Sequence, residues 1–169
     1  MDIILEILKQ DDAKKLYEFE LENRAYFEKM VPDRGEDYYH FDTYQIRHNA
    51  LLEEQRKGQA IYYLIKDKNG LIIGRMNIVD IDLSRQLGFI GYRVGEAYTG
   101  KGIASRAVQL LLSIIDRQSI TQISAKTTTD NIASQRVLEK NGFEYISTSN
   151  QEFNINGKSV KFIYYKWTV

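Results

Sequence analysis

The spacing of apolar residues changes along the chain, and each change marks an element. Ile3 to Leu8 is a short apolar run expected to form a strand. Asp11 or Asp12 then stands where a helix cap belongs, and Leu16, Phe19 and Tyr26 follow at near-helical spacing. The tyrosine- and carboxylate-rich stretch around Pro32 and Gly35 reads as a loop. "DTYQIRHNALLEEQRKG" reads as a second helix, capped by Asp42 or Thr43 and stopped at Gly58.

From Ala60 the period changes. "AIYYLIKD" and "LIIGRMNIVDID", joined through Asn69-Gly70, predict a hairpin whose turn uses the positive φ angles open to Asn-Gly. "RQLGFIGYRV" adds a third strand that runs into a glycine-rich loop. After the loop, Ile103, Ala107, Leu111, Ile114 and Ile115 mark the buried stripe of a helix. "TQISAKTTT" is the next strand. A short helix follows, with Asp130 or Asn131 at its start and Gly142 past its end. "FEYISTSNQEF" and "KSVKFIYYKWTV" close the chain as a hairpin around Asn156-Gly157. The order βααβββαβαββ predicts a mixed sheet with helices on its faces.

Length and charge narrow the picture. A chain of 169 residues suits one domain, residues 1–169, with a sizeable core. Its 23 basic and 23 acidic residues balance, so bulk charge does not point to nucleic acid or to a membrane surface. The absence of cysteine removes disulfides, thiolate metal sites and cysteine nucleophiles. With only His40 and His48, a multi-histidine metal site or a Ser-His-Asp triad is disfavoured. No apolar run approaches membrane-spanning length, and a cytoplasmic location is the expectation.

The glycine loop "VGEAYTGKGIA" carries the candidate chemistry, and three readings compete for it. One is a connection with no ligand. The second is the phosphate loop of nucleotide triphosphatases, which Gly95, Gly100 and Lys101 nearly spell. That signature ends in a hydroxyl residue serving magnesium, where this chain has Gly102. Asp116, an apparent magnesium ligand after "LLLSII", continues the helix away from the loop, and there are too few βα repeats for that fold. The third reading is a metal-free cradle. A helix opening at Ile103 turns free N–H groups outward at its positive end, and Gly100 and Gly102 let backbone approach a pyrophosphate.

"TGKGIA", Thr99 to Ala104, resembles the coenzyme A-binding motif Q/R-x-x-G-x-G/A of the GNAT N-acetyltransferase superfamily. Gly102 and Ala104 occupy its glycine and small-residue positions, and Thr99 departs from the usual Gln or Arg. "DNIASQRVLEKNGFE" resembles the second family signature through Asn131, Ser134, Val137, Gly142 and Phe143. "ENRAYFEKMVP" and "EF…NGK" are similar to the ribosomal-protein-alanine N-acetyltransferase branch.

The resemblance implies an α+β fold: a central, mostly antiparallel twisted sheet with a splayed coenzyme cleft and helices on both faces. It implies acetyl-CoA as acyl donor, no metal, and direct transfer to a primary amine. The acceptor in that branch is the N-terminal α-amine of a ribosomal protein. Relatives acting on small amines, amino acids or antibiotics share the core, and a non-catalytic coenzyme A-binding module is a further alternative. A monomer or homodimer is expected.

Site residues follow from the same resemblance. The backbone of Tyr92, Arg93 and Val94 would run beside pantetheine, with an N–H near Val94 as oxyanion donor. Thr99, Gly100, Lys101, Gly102, Ile103 and Ala104 would hold the pyrophosphate, and Asn131 would reach the pantetheine arm. Ser134 would protonate the leaving thiolate, with Tyr145 as a rival acid. Glu152 would be the general base, with Asp80, Asp82 and Glu96 as fallback carboxylates or water as intermediary. Arg93 and Lys101 would assist the ribose or phosphate groups. The tyrosine-rich loop "GEDYYHFDTY" would either line an amine-attracting acceptor site or form a packed aromatic cluster.

Overall fold

The computed structural model describes residues 1–30 and 34–169. Part of the loop expected around Pro32 lies outside the described residues. Seven strands form one sheet. These are Ile3–Ile7 (β1), Ile61–Asp67 (β2), Ile72–Asp82 (β3), Leu87–Val94 (β4), Gln122–Thr128 (β5), Glu144–Thr148 (β6) and Phe162–Thr168 (β9). Phe153–Ile155 (β7) and Lys158–Val160 (β8) pair only with each other. The sheet order is β1-β2-β3-β4-β5-β9-β6, antiparallel throughout except between β4 and β5.

Both faces are covered. β2 reads as an unbroken apolar run because its alternate residues enter two different cores. Tyr63 and Ile65, with Met76 and Ile78 of β3, pack under Ala107, Val108 and Leu111 of the helix Ile103–Ile114 (α4). Tyr62 and Leu64 face the other way, against Leu16 and Phe19 of Ala13–Glu22 (α1) and Tyr44 of Phe41–Arg56 (α3). The remaining helices are Arg24–Glu28 (α2) and Ile132–Lys140 (α5).

Several expectations are corrected by local physics. The first helix breaks at Asn23, whose Nδ2 donates to the Phe19 carbonyl at 2.9 Å while its Oδ1 accepts the Glu96 N–H at 2.9 Å. One residue thereby ends α1 and ties it to the loop after β4. Asp12 accepts the Lys9 N–H at 2.8 Å, closing the turn ahead of α1. His40, not Asp42 or Thr43, is the N-cap of α3. In the β2–β3 turn only Gly70 takes positive φ, 84°, and Asp67 accepts the N–H groups of Asn69 and Leu71. A glycine-bulge turn forms, rather than a two-residue Asn-Gly turn. Ile114 is 50 % exposed, because α4 ends there and Ile115 turns extended into the core. The closing hairpin is β6 with β9, and the Asn156-Gly157 turn belongs to an additional β7–β8 hairpin between them.

A buried ion cluster joins helix to sheet. Arg75 of β3 and Arg93 of β4 are cross-strand partners, an arrangement that like charges destabilise. Glu20 of α1, fully buried, accepts from Arg75 Nη1 at 2.7 Å and from Arg93 Nη1 at 3.2 Å. Removing the carboxylate would strand two largely buried guanidiniums. Glu20→Ala should therefore cost about 3 kcal/mol in urea unfolding, and a loss below about 1 kcal/mol, the range of exposed pairs, would show that water already screens the cluster.

Candidate active site

β4 and β5 pair for only three residues, from Leu87 with Gln122 to Phe89 with Ser124. Beyond that, β4 stays with β3 as far as Val94, and β5 stays with β9 as far as Thr128. The two halves of the sheet diverge, and a cleft of about 420 Å³ fills the gap. The Gly95 N–H donates to the Ile73 carbonyl at 2.8 Å. Antiparallel alternation then turns Gly91 and Arg93 toward β3, and directs the N–H and C=O groups of Ile90, Tyr92 and Val94 into the gap. A row of backbone donors and acceptors thus lines one wall.

The glycine loop closes one end. Gly100 and Gly102 both lie in the left-handed region, at φ 73° and 76°, and Gly102 is the N-cap of α4. Successive left-handed and helical residues aim neighbouring N–H groups into one concavity, and the helix dipole adds positive potential there. Among the described residues, the amides from Gly100 to Ser105 donate no hydrogen bond. Ile103 anchors this turn in the core, while Lys101 is exposed, its ammonium 5.7 Å from the Tyr98 ring centroid. Thr99 lines the cleft and donates its hydroxyl to the Glu96 carbonyl at 2.8 Å, holding the loop.

The opposite wall comes from α5. Asn131 caps it, its Oδ1 accepting the Ser134 N–H at 3.1 Å, and both residues line the cleft. Ser134 Oγ lies 3.4 Å from the Tyr92 hydroxyl across the gap. Burial raises the Tyr92 phenol above its ordinary pKa, opposed in part by the contact with Ser134. Tyr92 is therefore protonated at neutral pH and stands as a proton donor beside Ser134.

Other predicted residues lie elsewhere. Tyr145 is exposed on the edge strand β6, its hydroxyl 2.7 Å from that of Thr148, and it is absent from the cleft wall. The β6–β9 register turns Tyr145 outward. Glu152 is exposed just before β7 and accepts the Ser159 hydroxyl at 2.9 Å, at the rim. Asp80 and Asp82 lie at the far end of β3, where Asp82 accepts from Ser84, and Glu96 is exposed beside the glycine loop. Among the described residues that line the cleft, none is a carboxylate.

Sequence reasoning missed the apolar mouth. Phe27 and Met30 approach from the α2 side, and Phe153 stacks on Phe162 with ring centroids 4.3 Å apart. Only the contact between two separate hairpins creates this feature, so no local signal announces it.

A second cavity of about 390 Å³ lies on the face covered by α1 and α3, and it adjoins the cleft through Gly91, Tyr92 and Arg93. The tyrosine-rich loop is a packed aromatic cluster at its edge. Tyr38 and Tyr39 are buried, and Arg34 and Arg47 lie 4.9 and 5.1 Å from the Tyr38 ring centroid. Glu36 pairs with Arg24 at 2.8 Å.

The profile of the acetyltransferase (GNAT) domain matches residues 2–144. The chain belongs to the GNAT acetyltransferase family. It is 29 % identical over 153 residues to a probable N-acetyltransferase, YjcK, of Bacillus subtilis, an alignment covering 89 % of this chain and 84 % of the relative. A ribosomal-protein-S5-alanine acetyltransferase from Vibrio fischeri superposes with a TM-score of 0.89 at 25 % identity, covering 99 % and 93 % of the two chains. A ribosomal L7/L12 alpha-N-protein acetyltransferase in complex with coenzyme A gives 0.87 at 22 % identity, covering 99 % and 94 %. The overall fold of this GNAT acetyltransferase is thus shared with solved acetyltransferases. Among the described residues no helix is long and apolar enough to cross a membrane, and no cluster of His, Asp or Glu could hold a metal.

The Asn131 cap supports the wall that presents Ser134. Asn131→Ala should lower thermal stability by about 1 kcal/mol, read as a drop in Tm, and Asn131→Asp, which keeps the acceptor oxygen, should recover most of the loss.

Proposed function

We propose that this N-acetyltransferase moves the acetyl group of acetyl-CoA directly to a primary amine, the N-terminal α-amine of a ribosomal protein being the best-supported acceptor. The observation that carries the proposal is the pairing of unbonded amides in the Gly100–Ser105 turn with the opened edge of β4. The first suits a pyrophosphate without metal. The second suits an extended arm with amide groups of its own, which adds to β4 as a short strand would.

Each residue then has a task. The Val94 N–H, directed into the gap, stabilises the oxyanion as the amine attacks. The new N–C bond forms as the C–S bond breaks. The amine's proton goes to solvent, and the thiolate takes a proton from Ser134, which Tyr92 at 3.4 Å can replenish. No covalent enzyme intermediate is needed. With no carboxylate in the wall, Glu152 could take a proton only across solvent from the rim.

A polyamine acceptor is the weaker reading, because polycations are held by carboxylates and here arginines flank the cleft. The similarity to an S5-alanine acetyltransferase supports a polypeptide N-terminus. Acetylation of ribosomal proteins, N-terminal peptides, free amino acids and amines, followed by mass spectrometry, tests the assignment. Acetylation confined to free amines would refute the polypeptide acceptor. Acetyl-CoA binding with no thiol release on any amine would refute catalysis.

Two further outcomes are expected. Ser134→Ala should lower kcat by about tenfold to a hundredfold with little change in acetyl-CoA affinity measured by calorimetry. Because the attacking amine must be neutral and no buried base assists it, kcat/KM should rise with pH and level off at or below about 8, the ordinary pKa of an α-amine. A fall in rate across that range would contradict the scheme.

A further inference from the structure

We infer that the acceptor carries a carboxylate close to its amine, and that Arg34 and Arg47 bind it in the second cavity. This rests on the direct-transfer reading and names the substrate class of the same site. The cavity meets the coenzyme cleft at Gly91, Tyr92 and Arg93, so an amine at the opening in β4 places the neighbouring part of its molecule there.

The charge in the cavity is one-sided. Arg34, Arg47, Arg75 and Arg93 all line it, and no carboxylate does among the described residues. Glu20, behind the wall, is shared by Arg75 and Arg93 and leaves Arg34 and Arg47 uncompensated there. Both residues are exposed, and each rests beside an aromatic partner. Arg34 donates to the Tyr38 hydroxyl at 3.0 Å, and the guanidinium carbons of Arg34 and Arg47 lie 4.9 and 5.1 Å from the Tyr38 ring centroid. A guanidinium so placed still has N–H donors along its edge. A carboxylate matches such an edge with paired hydrogen bonds.

His48 stands in the same wall. His48 lines the cavity, is 1 % exposed, and has an Nδ1 with no partner among the described residues. Its Nε2 faces the Lys9 carbonyl at 2.9 Å, and a carbonyl only accepts, so Nε2 carries the proton. Nδ1 is shut off from the cavity as well as unpartnered, so His48 shapes the wall rather than reading the acceptor. A peptide offers an acidic side chain for the arginines, set a short distance from its terminal amine. Among carboxylate-bearing amines, an N-terminal segment with an acidic residue near its start fits best.

The test uses the full chain with acetyl-CoA and alanyl peptides that differ only in glutamate, glutamine or lysine at the second position, together with free glutamate and glutamine. The glutamate peptide should exceed the lysine peptide in kcat/KM by about tenfold at low salt, and the gap should narrow as salt rises. Arg47→Glu, at an exposed position, should invert the order of the two peptides. Equal rates for all three peptides, or a preference that Arg47→Glu leaves unmoved, would overturn the inference while leaving direct transfer standing. Acetylation of free glutamate in preference to every peptide would keep the carboxylate and reassign its source. Failure to acetylate any amine, with acetyl-CoA still bound, would remove the direct-transfer reading and this inference with it.

Discussion

Everything in this molecule turns on the point where β4 and β5 stop pairing. After Phe89 and Ser124 the backbone of β4 has a partner on one side only, and the N–H and C=O groups of Ile90, Tyr92 and Val94 look into the gap. Unpaired backbone groups inside a sheet carry a cost comparable to a lost hydrogen bond each, so the opening persists only because other interactions hold the two halves apart. β4 is held from its other edge by β3, from one face by the Glu20–Arg75–Arg93 cluster, and at its end by the Asn23–Glu96 bond. β5 is held by all seven of its pairs with β9. The cleft is a gap between two separately stabilised half-sheets.

That division explains why the two sides of the opening differ chemically. On the α4–α5 side the wall combines backbone amides, Asn131, Ser134 and Tyr92, a set suited to a neutral amide-bearing arm and a terminal anion. On the α1–α3 side four arginines line the second cavity. The buried acid shared by two of them, Arg75 and Arg93, fixes the strands and offsets part of that charge, and Arg34 and Arg47 add the rest.

The parts legible in the sequence are those written locally. Gly102 is informative in the sequence because it stands where the magnesium-dependent signature requires a hydroxyl, and its left-handed N-cap conformation is visible only in the structure. Asn131 and Ser134 were legible because a cap and the residue three positions on share one end of a helix. What was not legible depends on long-range pairing. Glu20 sits in a helix whose other acids are solvated, and nothing local marks it as the one that meets Arg75 and Arg93, 55 and 73 positions away. Tyr145 looked plausible until the β6–β9 register turned it outward. The extra β7–β8 hairpin was hidden because three-residue strands are too short to show a period.

The absence of a carboxylate from the cleft wall and the excess of arginine beside it have a common consequence for the chemistry. An acyl transfer to nitrogen needs the neutral amine, and a buried base is one way to obtain it. Positive charge near the amine is another, since like charges disfavour the ammonium form and lower its pKa. Arg93 borders both cavities, and Arg34 and Arg47 stand in the second with no acidic partner there among the described residues. A carboxylate on the acceptor engages those two guanidiniums, but it also works against the effect on its own amine. The balance favours the neutral amine only if the carboxylate is drawn toward the arginines and the amine is left near Arg93, whose charge Glu20 offsets only in part because it is shared with Arg75. In this arrangement, recognition of the acceptor and loss of its proton depend on the same charges, and Glu152 at the rim is not required as a base.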